Sequence, residues 1–402
     1  MKIKSIPLFL IFFSIPILGQ ETKPLSQLVF EKGTEKDFRL SSKNSSATIL
    51  VDQKDNKTVL LAAELFLADV ERITGNRPVL TNQISSASSE YVIIGSIEES
   101  AIIKQLIGNK KIDISDIKGK WESSLVVTVL NPLPGIDKAL VITGSDRRGT
   151  AYGIFEISKQ MGVSPWYYFA DVALKKKEGV YIKDGRYVQR SPSVKYRGIF
   201  LNDEMWGLRP WAMNTLAPEE GKGIGPTTYA KIFELLLRLK ANFLWPAMHQ
   251  QTRPFNHYED NKLVADEYAI VMGSSHIEPM LRNNIAGAEW DKEYPDEPWD
   301  YVKNRDHIYK YWEDRVKANG QFENVYTLGK RGKDDEAGSD ITLDVLEQIF
   351  EDQRKILKKH TGKKIKAIPQ VLIPYTEVLG LYNEGLKVPD DVIIVWPDDN
   401  FG

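Results

Sequence analysis

Carboxylates, histidines, an arginine and indole rings recur directly after short apolar runs in the second half of this chain. Six clusters stand out: Asp203, Glu204 and Trp206; Trp245 and His249; His276 and Glu278; Arg331, Asp334, Asp335 and Glu336; Tyr375 and Glu377; Asp398, Asp399 and Asn400. If the apolar runs are parallel strands of a barrel, their C-terminal ends open onto one face. Residues distant in sequence then meet there. Carboxylates converging beside tryptophans fit glycoside hydrolysis: one acid protonates the departing glycosidic oxygen while a carboxylate activates water or attacks the sugar. Neighbouring carboxylates disfavour each other's ionisation, which can keep one protonated near neutral pH. Indole faces stack on the apolar faces of pyranose rings, and Arg331 suits bidentate pairing with a uronate carboxylate. Singly, each cluster reads more readily as a solvated loop; six in register do not. Glu377 also fits a plain loop glutamate and Asp399 a helix cap. Trp245 and His276 fit core residues as well as sugar contacts.

Other chemistries find less support. The five histidines, His249, His257, His276, His307 and His360, form no HxH or HExxH pattern. A divalent ion held by Asp203, Asp335 and Asp399 stays open as a rival, but the reading expects no metal and no cofactor. Cysteine is absent and no GxSxG elbow occurs, which argues against a serine or cysteine hydrolase. The glycine-rich stretch 144–153 lacks both the P-loop ending and GxGxxG. Its Gly149 and Gly153 are expected to let a helix pack closely on a sheet.

The elements that must position these residues follow from periodicity. Strands are expected at 196–201, 242–245, 269–272, 325–328, 370–373 and 392–395. Between them run apolar helix faces: Tyr229, Ile232, Phe233, Leu236 and Leu237; Ile308, Tyr309, Trp312 and Val316; Leu346, Ile349, Phe350, Ile356 and Leu357. Apolar strands alternating with amphipathic helices imply a parallel sheet covered on both faces or a closed (β/α)8 barrel. Only six strand units fit before residue 402. The chain therefore reads as part of a longer protein, or else as an open sheet. Upstream, strands at 47–51, 91–94, 125–130 and 139–143 alternate with helices at 57–75, at 99–108 and in the second half of 144–162. Together they suggest a mixed α/β domain closing near Tyr187, with Ser191-Pro192-Ser193 at the boundary.

Residues 1–19 carry Lys2 and Lys4, an apolar run and Gly19, the pattern of a secretory signal. With no cysteine, a secreted or periplasmic bacterial location fits best. A formal charge of −2 gives no basic field for nucleic acid, and no other stretch is apolar enough for a membrane span.

At these residues the chain resembles the xylan α-1,2-glucuronidases of glycoside hydrolase family 115. The resemblance rests on YRGIFLNDEMWGLRPWA, FLWPAMH, GSSHIEPMLRNN, LGKRGKDDEA, IPYTEV and VWPDDNFG, with GSDRRGTAYGIFEIS and GVSPWYYFADV upstream. After the signal peptide read at 1–19, it implies an N-terminal α/β domain (20–193) and a TIM barrel (194–402) cut after about six strand units. It also implies an inverting, exo-acting release of glucuronic or 4-O-methylglucuronic acid from xylan. Glucuronoxylan or its oligosaccharides would be the partner, and the full-length protein would form a homodimer. Carried over by position, Glu377, Asp335 and Asp399 are the candidate catalytic carboxylates, their acid and base roles open. Arg331, Tyr375, Asn400, His276, Asp203 and Trp245 would hold the uronic acid. Lys333 and Asp334 depart from the small or acidic pair expected before Asp335, which makes Asp334 its rival. Two other readings stay open: a β-hexosaminidase-like barrel glycosidase, and a secreted glycan-binding protein without activity.

Overall fold

The computed structural model describes residues 22–24, 27–43, 45–85, 88–202, 204–285, 287 and 289–398. The expected signal segment, Asp203, Asp399 and Asn400 lie outside the described residues.

The first half is built on a seven-stranded mixed sheet. Its centre runs Ser124–Leu130, Lys138–Gly144, Glu90–Ser96 and Thr48–Val51, the last three mutually parallel. Alternate residues face opposite sides, as the pleat requires. Ile49, Val92, Ile94, Leu140 and Ile142 join one apolar cluster with the helices Lys57–Thr74 and Arg147–Met161. Leu50, Tyr91, Ile93 and Val141 join another with the helix Ala101–Gly108. Both faces are therefore covered. The helix Arg147–Met161 starts earlier than its apolar periodicity suggests, because Asp146 caps it by accepting from Gly149 N at 2.7 Å. Gly149 is there because of close packing: a Cβ would meet Ser123 O at 2.3 Å. A second, four-stranded antiparallel sheet (Val29–Phe30, Val180–Ile182, Phe38–Ser42, Ser45–Ser46) has no counterpart among the expected strands.

In the second half all six expected strands form, each shorter than its apolar run. Gly198–Phe200, Phe243–Trp245 and Val271–Met272 pair in parallel. So do Tyr326–Thr327, Gln370–Leu372 and Ile393–Ile394. A parallel bridge between Met272 and Asn324 joins the two sets, so the strands follow one another in chain order as a single arc. The helices Pro226–Arg238, Tyr301–Asn319 and Leu343–Thr361 bury the apolar faces read from sequence. This is the mixed α/β architecture expected, with an arc of parallel strands. Among the described residues no helix is long and apolar enough to cross a membrane.

The two halves share a core. Tyr229, Ile232, Phe233 and Leu236 lie in the same cluster as the helices of the first half. Beneath the arc, buried Glu122 ties Arg148 (2.8 Å) and Arg197 and accepts from Asn242 Nδ2 at 2.6 Å. Arg238 reaches Asp69 at 2.7 Å. Charges this deeply desolvated persist only because each is paired.

Candidate active site

Three consecutive strand ends of the arc supply one compact group. His276 follows the third strand, Arg331 and Asp335 the fourth, Tyr375 and Glu377 the fifth. His276 Nε2 and Asp335 Oδ1 share a hydrogen bond of 2.7 Å. The Arg331 guanidinium touches both candidate acids, with Nη1 at 3.4 Å from Asp335 Oδ1 and Nη2 at 3.4 Å from Glu377 Oε2. Nη2 also donates to the Asp335 carbonyl at 2.6 Å. Tyr375 closes the group: its ring lies 4.5 Å from the imidazole and 5.0 Å from the guanidinium carbon.

The arginine lies behind the carboxylates, with only 3% of the residue exposed. Its Nε has no hydrogen-bond partner among the described residues. A cation this buried is costly unless neighbouring anions compensate it, and Asp335 and Glu377 do so. Its loop is anchored from below. Trp299 Nε1 donates to the Arg331 carbonyl at 2.7 Å, and buried Lys330 donates to Asp340 Oδ1 at 2.9 Å. Gln353 clamps Gly329 through both N–H and carbonyl. Burial pushes the Lys330 ammonium below its ordinary pKa despite Asp340. Sequence reading missed this support; a lysine directly before Arg331 was its only visible sign.

The backbone here is strained. Asp334 and Asp335 both have positive φ, 49° and 69°. Thr376, β-branched, sits at φ 47°, ψ −113°, a region that sterics leave almost to glycine alone. That turn starts the helix Glu377–Asn383 at Glu377, which accepts from Gly338 N at 3.2 Å and from the Thr376 hydroxyl. Strain of this kind survives where surrounding contacts over-determine the conformation, as Arg331 and Gly338 do here.

The other candidates are placed differently. Glu204 is buried and its Oε1 accepts from Met248 N (3.1 Å), His249 N (3.0 Å) and Thr252 Oγ1, so it holds the loop after the second strand. Glu278 is buried too, accepting from Asn283 Nδ2 at 2.9 Å; burial is the main cause that pushes its carboxyl up to about 8. His249 meets the Asn202 carbonyl at 3.2 Å. Trp245 packs on Phe200 with centroids 5.3 Å apart, and Gly273 leaves room for it, since a Cβ would meet Trp245 Nε1 at 2.6 Å. Trp206 is 88% exposed, and Asp334 and Asp398 are exposed beside the cluster and the sixth strand end. Among the described residues no group of three His, Asp or Glu side chains is placed to hold a metal ion.

A clustered acid pair on the strand ends of such an arc is an arrangement that families can share, and sequence comparison decides which. The family model described as Glycosyl hydrolase family 115 matches residues 189–402. The chain belongs to glycosyl hydrolase family 115. The family 115 match takes in all six strands of the arc and every candidate carboxylate. A family 115 structure described as a 4-O-methyl-α-glucuronidase, BtGH115A, with specificity for decorated arabinogalactans is 41% identical, with a TM-score of 0.80. That alignment covers 91% of this chain and 46% of the other, so the chain spans about half the length of that relative. Two more distant structures share the fold. Flavobacterium johnsoniae chitobiase has 12% identity and a TM-score of 0.51, covering 94% of this chain and 55% of that one. A Streptomyces plicatus β-hexosaminidase mutant has 10% identity and a TM-score of 0.51, covering 90% and 66%. No curated protein matches the chain.

Proposed function

We propose that this chain carries the catalytic half of a secreted, exo-acting glycoside hydrolase. It would release α-linked glucuronic or 4-O-methylglucuronic acid from a plant polysaccharide. The observation that supports this best is the contact of one buried guanidinium, Arg331, with both Asp335 and Glu377. It keeps two carboxylates within reach of one glycosidic bond. In this reading one of the pair donates a proton to the leaving oxygen as the C–O bond breaks. The other takes a proton from the water that attacks the anomeric carbon. His276 and Tyr375 flank the pair. Residues 20–193 form the supporting domain and 194–402 the catalytic one.

Two backbones fit. Xylan follows from the family resemblance; arabinogalactan is favoured by the specificity of the 41% identical relative. Incubating the full-length protein with glucuronoxylan, with glucuronidated arabinogalactan and with chitobiose separates the readings. Free uronic acid from either polysaccharide supports the proposal and names the backbone. Release of N-acetylhexosamine instead would replace it with a β-hexosaminidase-like activity.

A further inference from the structure

Beside the first strand end lies an open cleft of about 600 Å³, lined by Tyr167, Tyr168, Phe169, Asp171, Gly207, Leu208 and Trp211. One wall comes from the segment after the helix Arg147–Met161, the other from the loop after the first strand. The Trp211 ring lies 6.2 Å from Tyr168 at 67° and 5.9 Å from Phe169 at 57°. Tyr167 is held from behind: its hydroxyl donates to Glu234 Oε1 at 2.9 Å and Arg238 lies 5.1 Å from its ring. Trp166 and Trp206, next in sequence to the lining residues, are 46% and 88% exposed.

The cleft is tied to the strand-end face that carries the acid pair. Glu204 grips Met248 and His249, and Arg209 Nε donates to the Gln251 carbonyl at 2.8 Å, fixing its wall to the loop after the second strand. Its lining is aromatic, with a single aliphatic side chain, and it carries exposed Asp171; Lys231 Nζ lies 4.8 Å from the Tyr168 ring. An acyl chain or an apolar helix would be matched by aliphatic surface. Rings with a polar rim match a sugar, which has C–H faces to stack and hydroxyls at its edge.

We propose that this cleft binds the neutral pyranose backbone of the polysaccharide whose uronic acid branch enters the Asp335–Glu377 site. The identity of that ligand rests on the function proposed above, but its binding can be measured without turnover. Isothermal titration of the full-length protein with unsubstituted xylohexaose and with a galactan hexasaccharide is the test. At least one should bind. Tyr168→Ala, checked for folding by near-ultraviolet circular dichroism, should weaken that binding about fivefold or more. Gly207→Trp should block it without strain, because Gly207 has φ −146° and a Cβ there meets nothing within 4 Å. Glu377→Gln should leave it unchanged, and Gly207→Trp should raise KM more for the decorated polymer than for an aryl uronide. No binding by the native protein, or binding indifferent to both cleft variants, overturns the proposal. Binding lost in Glu377→Gln also overturns it, by placing the backbone in the acid site. Cleft-dependent binding without uronic acid release from any substrate would sink the uronidase reading alone.

Discussion

His276 and Asp335, 59 residues apart in sequence and carried by consecutive strand ends, meet at 2.7 Å. That contact, with Arg331 between Asp335 and Glu377, turns scattered strand-end residues into one acid site. Replacing either carboxyl by its amide keeps shape and removes proton transfer. Asp335→Asn and Glu377→Gln should each lower kcat for uronic acid release about 10²–10⁴-fold, with circular dichroism unchanged. Retention of activity by one variant would hand its role to another candidate, Asp334 or Asp399.

The Arg331 guanidinium lies against both carboxylates. A lysine keeps the charge but cannot span two carboxylates with a planar fork. Arg331→Lys should therefore fold and lose about tenfold or more in kcat, with a smaller change in KM. A pure KM effect would mean that Arg331 grips substrate directly.

How much of this was legible beforehand differs by element. The six arc strands and the helices between them were readable, because strands buried on both faces are continuous apolar runs and covering helices show the 3.6-residue stripe. The antiparallel sheet through Val180–Ile182 was not, since its strands are two to five residues long and Val180–Ile182 pairs with Val29–Phe30 and Phe38–Ser42 across distant sequence. Among the site residues, carboxylate identity says nothing about which way a loop folds back. Glu204 and Glu278 turn inward to hold loops, while Asp335 and Glu377 both contact Arg331. The support beneath, Lys330, Asp340, Trp299 and Gln353, shows no spacing signal because its contacts are fixed by tertiary packing.

The buried Glu278 makes a pH prediction. Its carboxyl is raised from 4.5 to about 8 in the folded protein, chiefly by desolvation. The folded state thus holds a proton that the unfolded chain gives up above pH 4.5. This contribution is fully present below about pH 4.5 and is lost as pH rises through about 8. Glu278→Gln should therefore gain unfolding free energy over the native protein at pH 9 and little at pH 4.5, by urea melts at both. An equal difference at the two pH values would contradict it.

Glu122 joins the two halves. It is 2% exposed and faces Arg148, Arg197 and Asn242. Glu122→Ala leaves Arg197 without its anion and Arg148 with Glu323 alone, and should cost about 3 kcal/mol, read as a fall in Tm. Glu323, which also pairs with Arg148, keeps 41% of its side chain exposed. Solvent screening should limit Glu323→Gln to about 1 kcal/mol. Equal losses would mean that burial does not set the strength of this junction.

The most direct test of the account is the anomeric form of the sugar first released. The full-length protein would be mixed with whichever glucuronidated polysaccharide it accepts, and the earliest product followed by proton NMR before mutarotation. Attack by water opposite the α-linked leaving group predicts β-uronic acid, absent in Asp335→Asn and Glu377→Gln. An initial α-anomer would contradict the single-displacement account and require an enzyme-bound intermediate. No uronic acid from a folded protein would refute the function.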